Sequence, residues 1–270
     1  MAFDRRHFLR ATGVGVGSLS LLNFSNLASQ PRRDLPRPDP SLLQSGDFVW
    51  PKKPGAYVPY NVGSLNGPEQ DRAQWIAERN AYLGKITQVL NPDPVVLQRI
   101  NALRSMDYRE FIAVYAGAQT PGIPGLYSGG GVYVGHVGII EVDARGEAWV
   151  IEALLEKGVV RSKYLTWLEH RSDQVIWLAR LRQLDGARRA LVVDEAKKHL
   201  GRPYDFWNFD LNDDSVFYCS KLVWLSVFRS LGFAVDGEEK PRRVIWFSPK
   251  QLLNLPVLEK LHDPGPYANV

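Results

Sequence analysis

The sequence predicts an α+β protein with a mostly antiparallel sheet. Short apolar runs separated by turn residues cluster between residues 132 and 181, which is the pattern of strands joined by tight connections. Segments with apolar residues at helical spacing precede and follow this cluster, so helices and strands occupy separate stretches of the chain. The 270 residues are enough for one large domain, or two small ones, with a sizeable core.

The first 29 residues are predicted to be a signal peptide of the twin-arginine type. Arg5 and Arg6 are followed by Phe8 and Leu9, then by a mildly apolar run that ends in small residues. The run is too short and too rich in Gly and Ser for a transmembrane helix. We therefore expect the twin-arginine machinery to export the folded protein to the periplasm or to another compartment outside the inner membrane.

The chain after the leader is predicted to form one catalytic domain, residues 46–262. Residues 30–45 are rich in Pro and Arg and are expected to be an extended linker. Residues 68–118 carry apolar stripes of helical period, interrupted by two prolines near residue 93, and are predicted to be a helical insertion. They show no catalytic constellation, so a packing or lid subdomain is the favoured interpretation.

The second half of the chain holds the predicted sheet. A Gly-rich stretch at residues 119–131 lacks the Lys-Ser/Thr of a phosphate loop and is expected to be a flexible loop beside a cleft. Strands are predicted at 132–142, 148–154, 159–161, 175–181 and 243–247, and a turn followed by a short strand is predicted at 43–51. Helices are predicted at 187–200 and after residue 218.

Composition excludes several classes of partner and cofactor. The formal net charge is +4, and Arg5, Arg6 and Arg10 against Asp4 account for two of these charges. No basic stripe remains, so no nucleic-acid partner is expected. A single cysteine allows no intramolecular disulfide and no zinc-knuckle spacing. No cofactor and no metal site are predicted.

Cys219 is the candidate nucleophile. Capping residue types precede it at 212–215, and a wide apolar surface at helical spacing follows it up to Gly232. Cys219 is therefore expected in the first turn of a largely buried helix, where free backbone N–H groups and the helix dipole stabilise a thiolate. On the helix alone, a cysteine that fills a gap in the core is the favoured alternative.

His136 is the candidate base for this thiol. It stands in an apolar predicted strand between Gly135 and Gly138, which leave room for another side chain near the ring. The alternative is an edge histidine that is satisfied by a backbone carbonyl. The histidines outside the leader and this strand lie among charged residues and are expected on the surface: His170, His199 and His262.

Glu152 is the candidate residue for orienting His136, and strand register decides whether it can do so. A three-residue loop centred on Ala144 would place His136 directly opposite Glu152 on one face of the sheet. A four-residue loop would reverse the parity and separate the two side chains. A Glu152 that faces solvent is the alternative.

Four short motifs in this order resemble a known family. They are Gly135-His-Val-Gly-Ile-Ile140, Val150-Ile-Glu-Ala153, Gly201-Arg-Pro-Tyr-Asp205 and Tyr218-Cys-Ser-Lys-Leu-Val223, with Ser-Gly-Asp at 45–47 as an opening strand motif. Together they resemble the permuted NlpC-type papain-fold amidases of the YaeF/YiiX branch. In ordinary papain-like enzymes the cysteine precedes the histidine, whereas here His136 comes first, as a circular permutation requires.

The resemblance implies a role for each of these residues. It implies a circularly permuted papain-like fold in which Cys219 is the nucleophile, His136 the base and Glu152 the orienting residue. It also implies Tyr204 as a donor to the oxyanion. Lys221 departs from the family, where relatives often have an acidic residue, and is expected to face outward.

The expected function is an exported cysteine hydrolase that cleaves an amide or peptide bond of the cell envelope, such as a peptidoglycan stem peptide. One alternative is lipid acyl transfer or thioesterase activity, which a large apolar groove beside Cys219 would favour over a polar, charge-lined cleft. Another alternative is a catalytically inactive envelope-binding module, which requires an unreactive thiol.

Overall fold

The computed structural model describes residues 35–52, 68–89, 94–108, 110–111, 135–244 and 246–265. The predicted signal peptide, the first five residues of the predicted linker and the Gly-rich stretch at 119–131 lie outside these ranges, as does the end of the predicted insertion.

The described residues form one six-stranded antiparallel sheet in the order β4-β3-β2-β1-β5-β6. Its strands are β1 Phe48–Lys52, β2 Gly138–Val142, β3 Ala148–Leu154, β4 Gly158–Lys163, β5 Val175–Leu181 and β6 Leu258–His262. The helices are α1 Pro68–Val89, α2 Pro94–Ser105, α3 Tyr164–Glu169, α4 Gly186–Lys197, α5 Cys219–Leu231 and α6 Pro249–Leu253. The predicted α+β class with a mostly antiparallel sheet is confirmed.

Helix α5 is the buried centre of one side of the sheet. Its apolar residues follow the period that the sequence showed, and its first nine residues are all buried. Gly232 ends the helix in the left-handed conformation that glycine adopts without steric cost. The helix packs against β2, β3 and α4, so its N-terminal end is fixed relative to the sheet.

A second, smaller core covers the other face of the sheet. Alternation along the strands sends Val150 and Ile140 to this face and Ile151 and Ile139 to the larger core. Tyr164 and Trp167 of α3 cover the smaller core, with their rings stacked at 5.8 Å. Helix α3 therefore lies next to the even-numbered positions of β3, which include Glu152.

Several predicted elements differ from the structure. Of the predicted strand at 243–247, the described residues 243, 244, 246 and 247 are not in a strand. Arg242 only makes an isolated bridge to Asp210, while the sixth strand is β6, in a tail that the sequence did not predict as regular structure. Helices α3 and α6 were not predicted either, because five or six residues are too few to show a helical period. Local capping defines α6 instead, through a capping box between Ser248 and Gln251.

Part of the predicted linker packs against the domain. Residues 40–42 form a 3-10 turn, and Leu43 is buried in the smaller core. The Ile176 N–H donates to the carbonyl of Pro36, and Arg37 Nη2 donates to the carbonyl of Arg171 at 2.8 Å. The Pro-rich composition here is typical of a segment that packs without regular hydrogen bonding.

The Gly-Asp motif before β1 has a structural role. Gly46 has φ +82°, and a Cβ at this position would stand 2.5 Å from the Arg189 carbonyl oxygen. Asp47 is fully buried and accepts hydrogen bonds from Arg180 Nε at 2.6 Å and Nη2 at 2.8 Å. The motif therefore holds the start of β1 against β5 and α4.

The predicted insertion supplies α1 and α2, which add aromatic side chains to the larger core. Trp75 packs on Phe111 with ring centroids 4.9 Å apart. Tyr82 packs on Phe209, also at 4.9 Å, and donates to the carbonyl of Val244 at 2.9 Å. Helix α1 thus lies against the chain segment that leads into α5. Of the helices within the described ranges, none combines the length and apolar character that a membrane span requires.

Candidate active site

Cys219 is the first residue of α5, as the sequence predicted. Tyr218 before it has extended backbone and provides no side-chain cap. The Cys219 N–H lies at the first helical position, where no intrahelical acceptor exists. It also meets no acceptor elsewhere in the described part of the chain. The thiol, which is 4% exposed, lies at the positive end of the helix dipole, where a thiolate is stabilised.

His136 lies directly beside this thiol. The Sγ atom of Cys219 is 3.9 Å from the carbonyl oxygen of Gly135, and the side chains of Cys219 and His136 are hydrogen-bonding partners. The histidine lies in the extended segment that leads into β2 and is not part of the strand, which begins at Gly138. The predicted strand at 132–142 is thus shorter than the sequence indicated.

Glu152 accepts a hydrogen bond from His136, but through a different register from the one predicted. Nε2 of His136 lies 2.6 Å from Oε2 of Glu152. Strand β2 pairs with β3 so that Glu141 opposes Trp149, which centres the connection on Arg145 and not on Ala144. The connection is therefore neither of the two loops considered from the sequence, which had three and four residues. The connection has five residues, an odd number, so parity is preserved and both side chains remain on one face.

Gly138 makes this diagonal contact possible. In the observed register Gly138 is the residue across from Glu152, and a Cβ at Gly138 would stand 3.6 Å from Cβ of Glu152 and 2.5 Å from Cγ1 of Val150. A side chain at this position would occupy the space between the imidazole and the carboxylate. The glycine thus leaves His136 a direct path to Glu152.

Three donors converge on the carboxylate of Glu152, which is 1% exposed. Besides His136, Trp167 Nε1 donates to Oε2 at 2.9 Å, and Arg171 Nη2 lies 3.0 Å from Oε2 and 3.2 Å from Oε1. The Arg171 guanidinium also covers the Trp167 ring at 4.4 Å from its centroid. Burial alone would raise the pKa of Glu152, but these hydrogen bonds and the charges of His136 and Arg171 hold it below its ordinary value.

The pKa of His136 is raised by the same arrangement. Burial acts to lower it, but the hydrogen bonds to Cys219 and Glu152 and the carboxylate charge of Glu152 outweigh burial and bring the pKa to about 9. Since Glu152 occupies Nε2, Nδ1 is the ring nitrogen that serves Cys219. At neutral pH the ring therefore holds a proton on each nitrogen, and the imidazolium faces the sulfur of Cys219.

Tyr204 lies close to this group through its backbone. It forms an isolated parallel bridge with Phe217, and the N–H of Asp205 donates to the Phe217 carbonyl at 3.0 Å. Phe217 is two residues before Cys219, so residues 203–205 run alongside the entry to α5. Tyr204 also lines a cavity of about 740 Å³, and its predicted contribution to the oxyanion site stays a prediction.

This cavity lies between α1 and the segment that contains Tyr204. One part of its wall is aromatic, from Tyr82, Tyr204, Phe206, Trp207 and Phe209. Charged side chains of both signs make up much of the rest: Glu78, Lys85, Asp205, Asp210, Asp213, Arg242 and Arg243. The predicted insertion therefore contributes one wall of this cavity, and that wall is polar as well as aromatic. Neither Cys219 nor His136 is among the lining residues; the cavity is connected to the start of α5 through the pairing of Tyr204 with Phe217.

Two predicted surface residues are buried. Lys221, which the sequence placed on the outside of α5, is fully buried and donates from Nζ to Oδ1 of Asn208 at 3.0 Å. His199 is 3% exposed and packs its ring on Phe217 at 4.6 Å. Charged neighbours in sequence suggested a solvated face for His199, and Lys221 was expected to face outward, whereas segment 204–217 folds back over both positions.

Trp167 and Arg171 are functional candidates that the sequence interpretation missed. Both lie on or directly after α3, four residues apart, which places them on one face of a helical turn. That spacing is visible in the sequence, but nothing in it links the turn to Glu152. The link comes from the packing of α3 over β3.

The family comparison agrees with this geometry. Residues 126–258 match the family described as "Permuted papain-like amidase enzyme, YaeF/YiiX, C92 family". The predicted resemblance is confirmed. The matched stretch contains His136, Glu152, Tyr204 and Cys219, and the permuted papain-like family fits the antiparallel sheet and the cysteine-bearing helix.

The chain is also similar to two individual proteins. The uncharacterized protein YiiX of Escherichia coli K12 is 37% identical over 59 residues, which are 22% of this chain and 28% of that protein's length. A crystal structure titled as that of the metalloprotein YiiX from Escherichia coli O157:H7 aligns with 83% of this chain and 98% of its own, at a TM-score of 0.45 and 16% identity. Within the ranges described here, no three His, Cys, Asp or Glu side chains come together as a metal-ligand set.

Proposed function

We propose that this protein is an exported cysteine hydrolase that cleaves an amide or peptide bond of a cell-envelope substrate through an acyl-enzyme on Cys219. The observation that carries the proposal is the chain of contacts from Cys219 to His136 to Glu152. A nucleophile, a base and an orienting carboxylate in this arrangement are the minimum that thiol acyl transfer requires. The amidase family matched by residues 126–258 supports the same reaction class.

The reaction follows from these positions. The Cys219 thiolate attacks the substrate carbonyl carbon, a C–S bond forms, and the carbonyl oxygen takes the negative charge. The free N–H of Cys219 is the donor available for that oxyanion, and we propose Tyr204 as a second donor. The imidazolium of His136 gives its Nδ1 proton to the leaving amine as the C–N bond breaks. The neutral ring then takes a proton from water, which attacks the thioester and releases the acid.

Glu152 keeps the imidazole in position throughout this cycle. Its hydrogen bond at 2.6 Å holds the proton on Nε2, so Nδ1 alone exchanges a proton with sulfur, amine and water. Trp167 and Arg171 hold the carboxylate in turn, which leaves it little freedom to rotate. The carboxylate acts on catalysis through the ring and does not contact the substrate.

We take the cavity lined by Tyr204 to hold the substrate, and the character of its lining favours a peptide-like substrate over a lipid. Seven charged side chains stand among its lining residues, and removing a long acyl chain from water into such surroundings brings little gain. Peptidoglycan stem peptides are the substrates we propose, since they present both amide bonds and charged groups. The predicted twin-arginine leader, which would bring the enzyme to the periplasm, is part of the same proposal.

Incubation with candidate substrates tests the proposal. Wild type and Cys219→Ala are mixed with peptidoglycan fragments and, separately, with lipid esters, and the products are identified by mass spectrometry. We expect wild type alone to cleave the fragments and to yield a thioester on Cys219 when quenched in acid. If wild type cleaves the lipid esters and not the peptidoglycan fragments, lipid acyl transfer or thioesterase activity is the better assignment. If Cys219 also shows the alkylation rate of an ordinary free thiol, a binding module is the better description.

A further inference from the structure

Lys221 occupies an unusual place for a lysine. It lies two residues after Cys219 on α5 and is fully buried. Burial lowers the pKa of its ammonium to about 8, although the charges of Asp213 and Asp210 act in the opposite direction. It forms no direct ion pair within the described ranges. A buried ammonium without such a pair is costly to keep, so its hydrogen bond must provide something that an apolar residue would not.

That hydrogen bond connects α5 to the cavity wall. Nζ of Lys221 donates to Oδ1 of Asn208 at 3.0 Å, and Nδ2 of Asn208 donates to Oδ2 of Asp213 at 2.5 Å. Asn208 stands between Trp207 and Phe209, and both of these rings line the cavity. The ammonium therefore holds a polar residue that lies between two aromatic residues of the cavity wall.

Lys221 also contacts the segment that enters α5. Its Nζ lies 5.6 Å from the centroid of the Phe217 ring, within the range of a cation–π interaction. Phe217 pairs with Tyr204 at the other end of the same wall. One ammonium group thus contacts the loop formed by residues 204–217 at two points, Asn208 and Phe217, and it does so from the helix that carries the nucleophile.

We propose that Lys221 is a positioning residue for substrate binding, which fixes the Trp207–Phe209 wall of the cavity at a set distance from Cys219 through Asn208. The inference rests on the proposed function, because it takes this cavity to hold the substrate. A wall held in this way keeps its shape before the substrate arrives, so binding does not have to order it. Loss of the ammonium weakens binding and leaves the chemistry of the thiolate unchanged.

Alkylation of Cys219 tests this without a known substrate. Iodoacetamide is small enough to react with the sulfur without filling the cavity, and its rate reports on the thiolate. A bulky aromatic chloroacetamide is expected to bind first and react second, which gives a saturation constant KI and a limiting rate. For Lys221→Met we expect KI to rise about tenfold, as expected for a lost hydrogen bond from a charged donor. The limiting rate and the iodoacetamide rate should stay within about twofold of wild type.

A second variant shows whether Asn208 transmits the effect. Asn208→Ala removes the acceptor, and the double variant with Lys221→Met should show the same KI as either single variant, because both changes break one connection. Lys198→Met, on an exposed lysine near the end of α4, is the matched control and should match wild type.

Results that contradict the role of Lys221 differ from results that contradict the proposed function. An unchanged KI in Lys221→Met, independent effects in the double variant, or an aromatic reagent that does not saturate wild type would overturn the positioning role. A slow iodoacetamide reaction in wild type would instead contradict the proposed function, while the KI comparison would still decide the role of Lys221.

Discussion

Nε2 of His136 lies 2.6 Å from Oε2 of Glu152, although the residue across from Glu152 in the sheet is Gly138. The contact is therefore diagonal and depends on a missing side chain. Oxygen and nitrogen at this distance share a charge-assisted hydrogen bond, which is stronger than a neutral one. The protonation of the ring, and with it the reactivity of Cys219, depends on this contact.

Glu152→Gln should lower kcat by about a hundredfold, since the amide no longer stabilises the imidazolium and can present the wrong hydrogen-bonding group to Nε2. The pKa of His136, raised to about 9 in wild type, should fall toward its ordinary value of 6.5. The basic limb of the pH profile should move to lower pH accordingly. The measurement is the rate of substrate cleavage from pH 5 to 10. An unmoved basic limb would show that Glu152 does not set the protonation of His136.

Folding stability should depend on pH through His136. Its folded pKa of about 9 is above its ordinary value of 6.5, so the folded state binds the proton more tightly. The resulting stabilisation, up to about 3 kcal/mol, is fully present below pH 6.5 and is lost as the pH rises through 9. Urea unfolding of wild type and His136→Ala measures it. The two free energies of unfolding should converge as the pH rises from 6.5 to 10, and a constant difference would contradict the shift.

Arg171→Met should destabilise the fold by about 3 kcal/mol, because it leaves the buried carboxylate of Glu152 without its guanidinium partner. It should also slow the alkylation of Cys219, since a carboxylate that gains protons no longer supports the imidazolium. Arg161→Met is the control. It removes an ion pair with Glu141, which keeps Lys197 as a second partner, so we expect a cost of about 1 kcal/mol and an unchanged alkylation rate. If Arg171→Met and Arg161→Met changed the alkylation rate of Cys219 equally, Arg171 would have no specific role at the active site.

Gly138→Ala should cost about 2 kcal/mol in the free energy of unfolding, because the new methyl group would overlap Cγ1 of Val150. It should also weaken the hydrogen bond between His136 and Glu152. Val150→Ala in the same chain removes the overlapping group and should restore part of the stability. Chemical denaturation of wild type, the single variant and the double variant checks the expectation. An unchanged free energy of unfolding in Gly138→Ala would mean that the strands move apart without loss of stability.

Lys221→Met should raise the free energy of unfolding at pH 7 by about 1–2 kcal/mol. The pKa of Lys221 is lowered to about 8 in the folded state, against 10.5 in water, so keeping the charge at neutral pH costs about 3 kcal/mol. The variant regains only part of this free energy, because Oδ1 of Asn208 loses its donor. Wild type loses this penalty as the pH rises from 8 to 10.5, and the advantage of the variant should shrink over the same range. A less stable variant at pH 7 would assign Lys221 to structure and not to positioning.

The sequence was sufficient for the chemistry and for the main elements. Cys219 at the start of an apolar helix and His136 between glycines could be recognised, since both depend on local pattern. The role of Glu152 follows from whether the connection between β2 and β3 has an odd or an even number of residues. The three-residue loop considered from the sequence and the observed five-residue connection are both odd, so both place His136 and Glu152 on the same face of the sheet. Trp167, Arg171 and Lys221 could not be predicted, because each makes its contact across the fold. Trp167 and Arg171 lie among charged residues that resemble a solvated surface, whereas the apolar neighbours of Lys221 do not indicate the loop that buries it.

The hydrogen bond from Arg37 to the carbonyl of Arg171 has a practical consequence for the boundary of the domain. Arg171 in turn donates a hydrogen bond to the carboxylate of Glu152. The chain before β1 therefore stabilises the site indirectly, through Arg171. A recombinant protein that begins at residue 44 would retain the catalytic side chains and lose this support. Limited proteolysis should accordingly leave a core whose N-terminus lies at or before residue 35. A core that begins later in the chain should no longer show alkylation of Cys219.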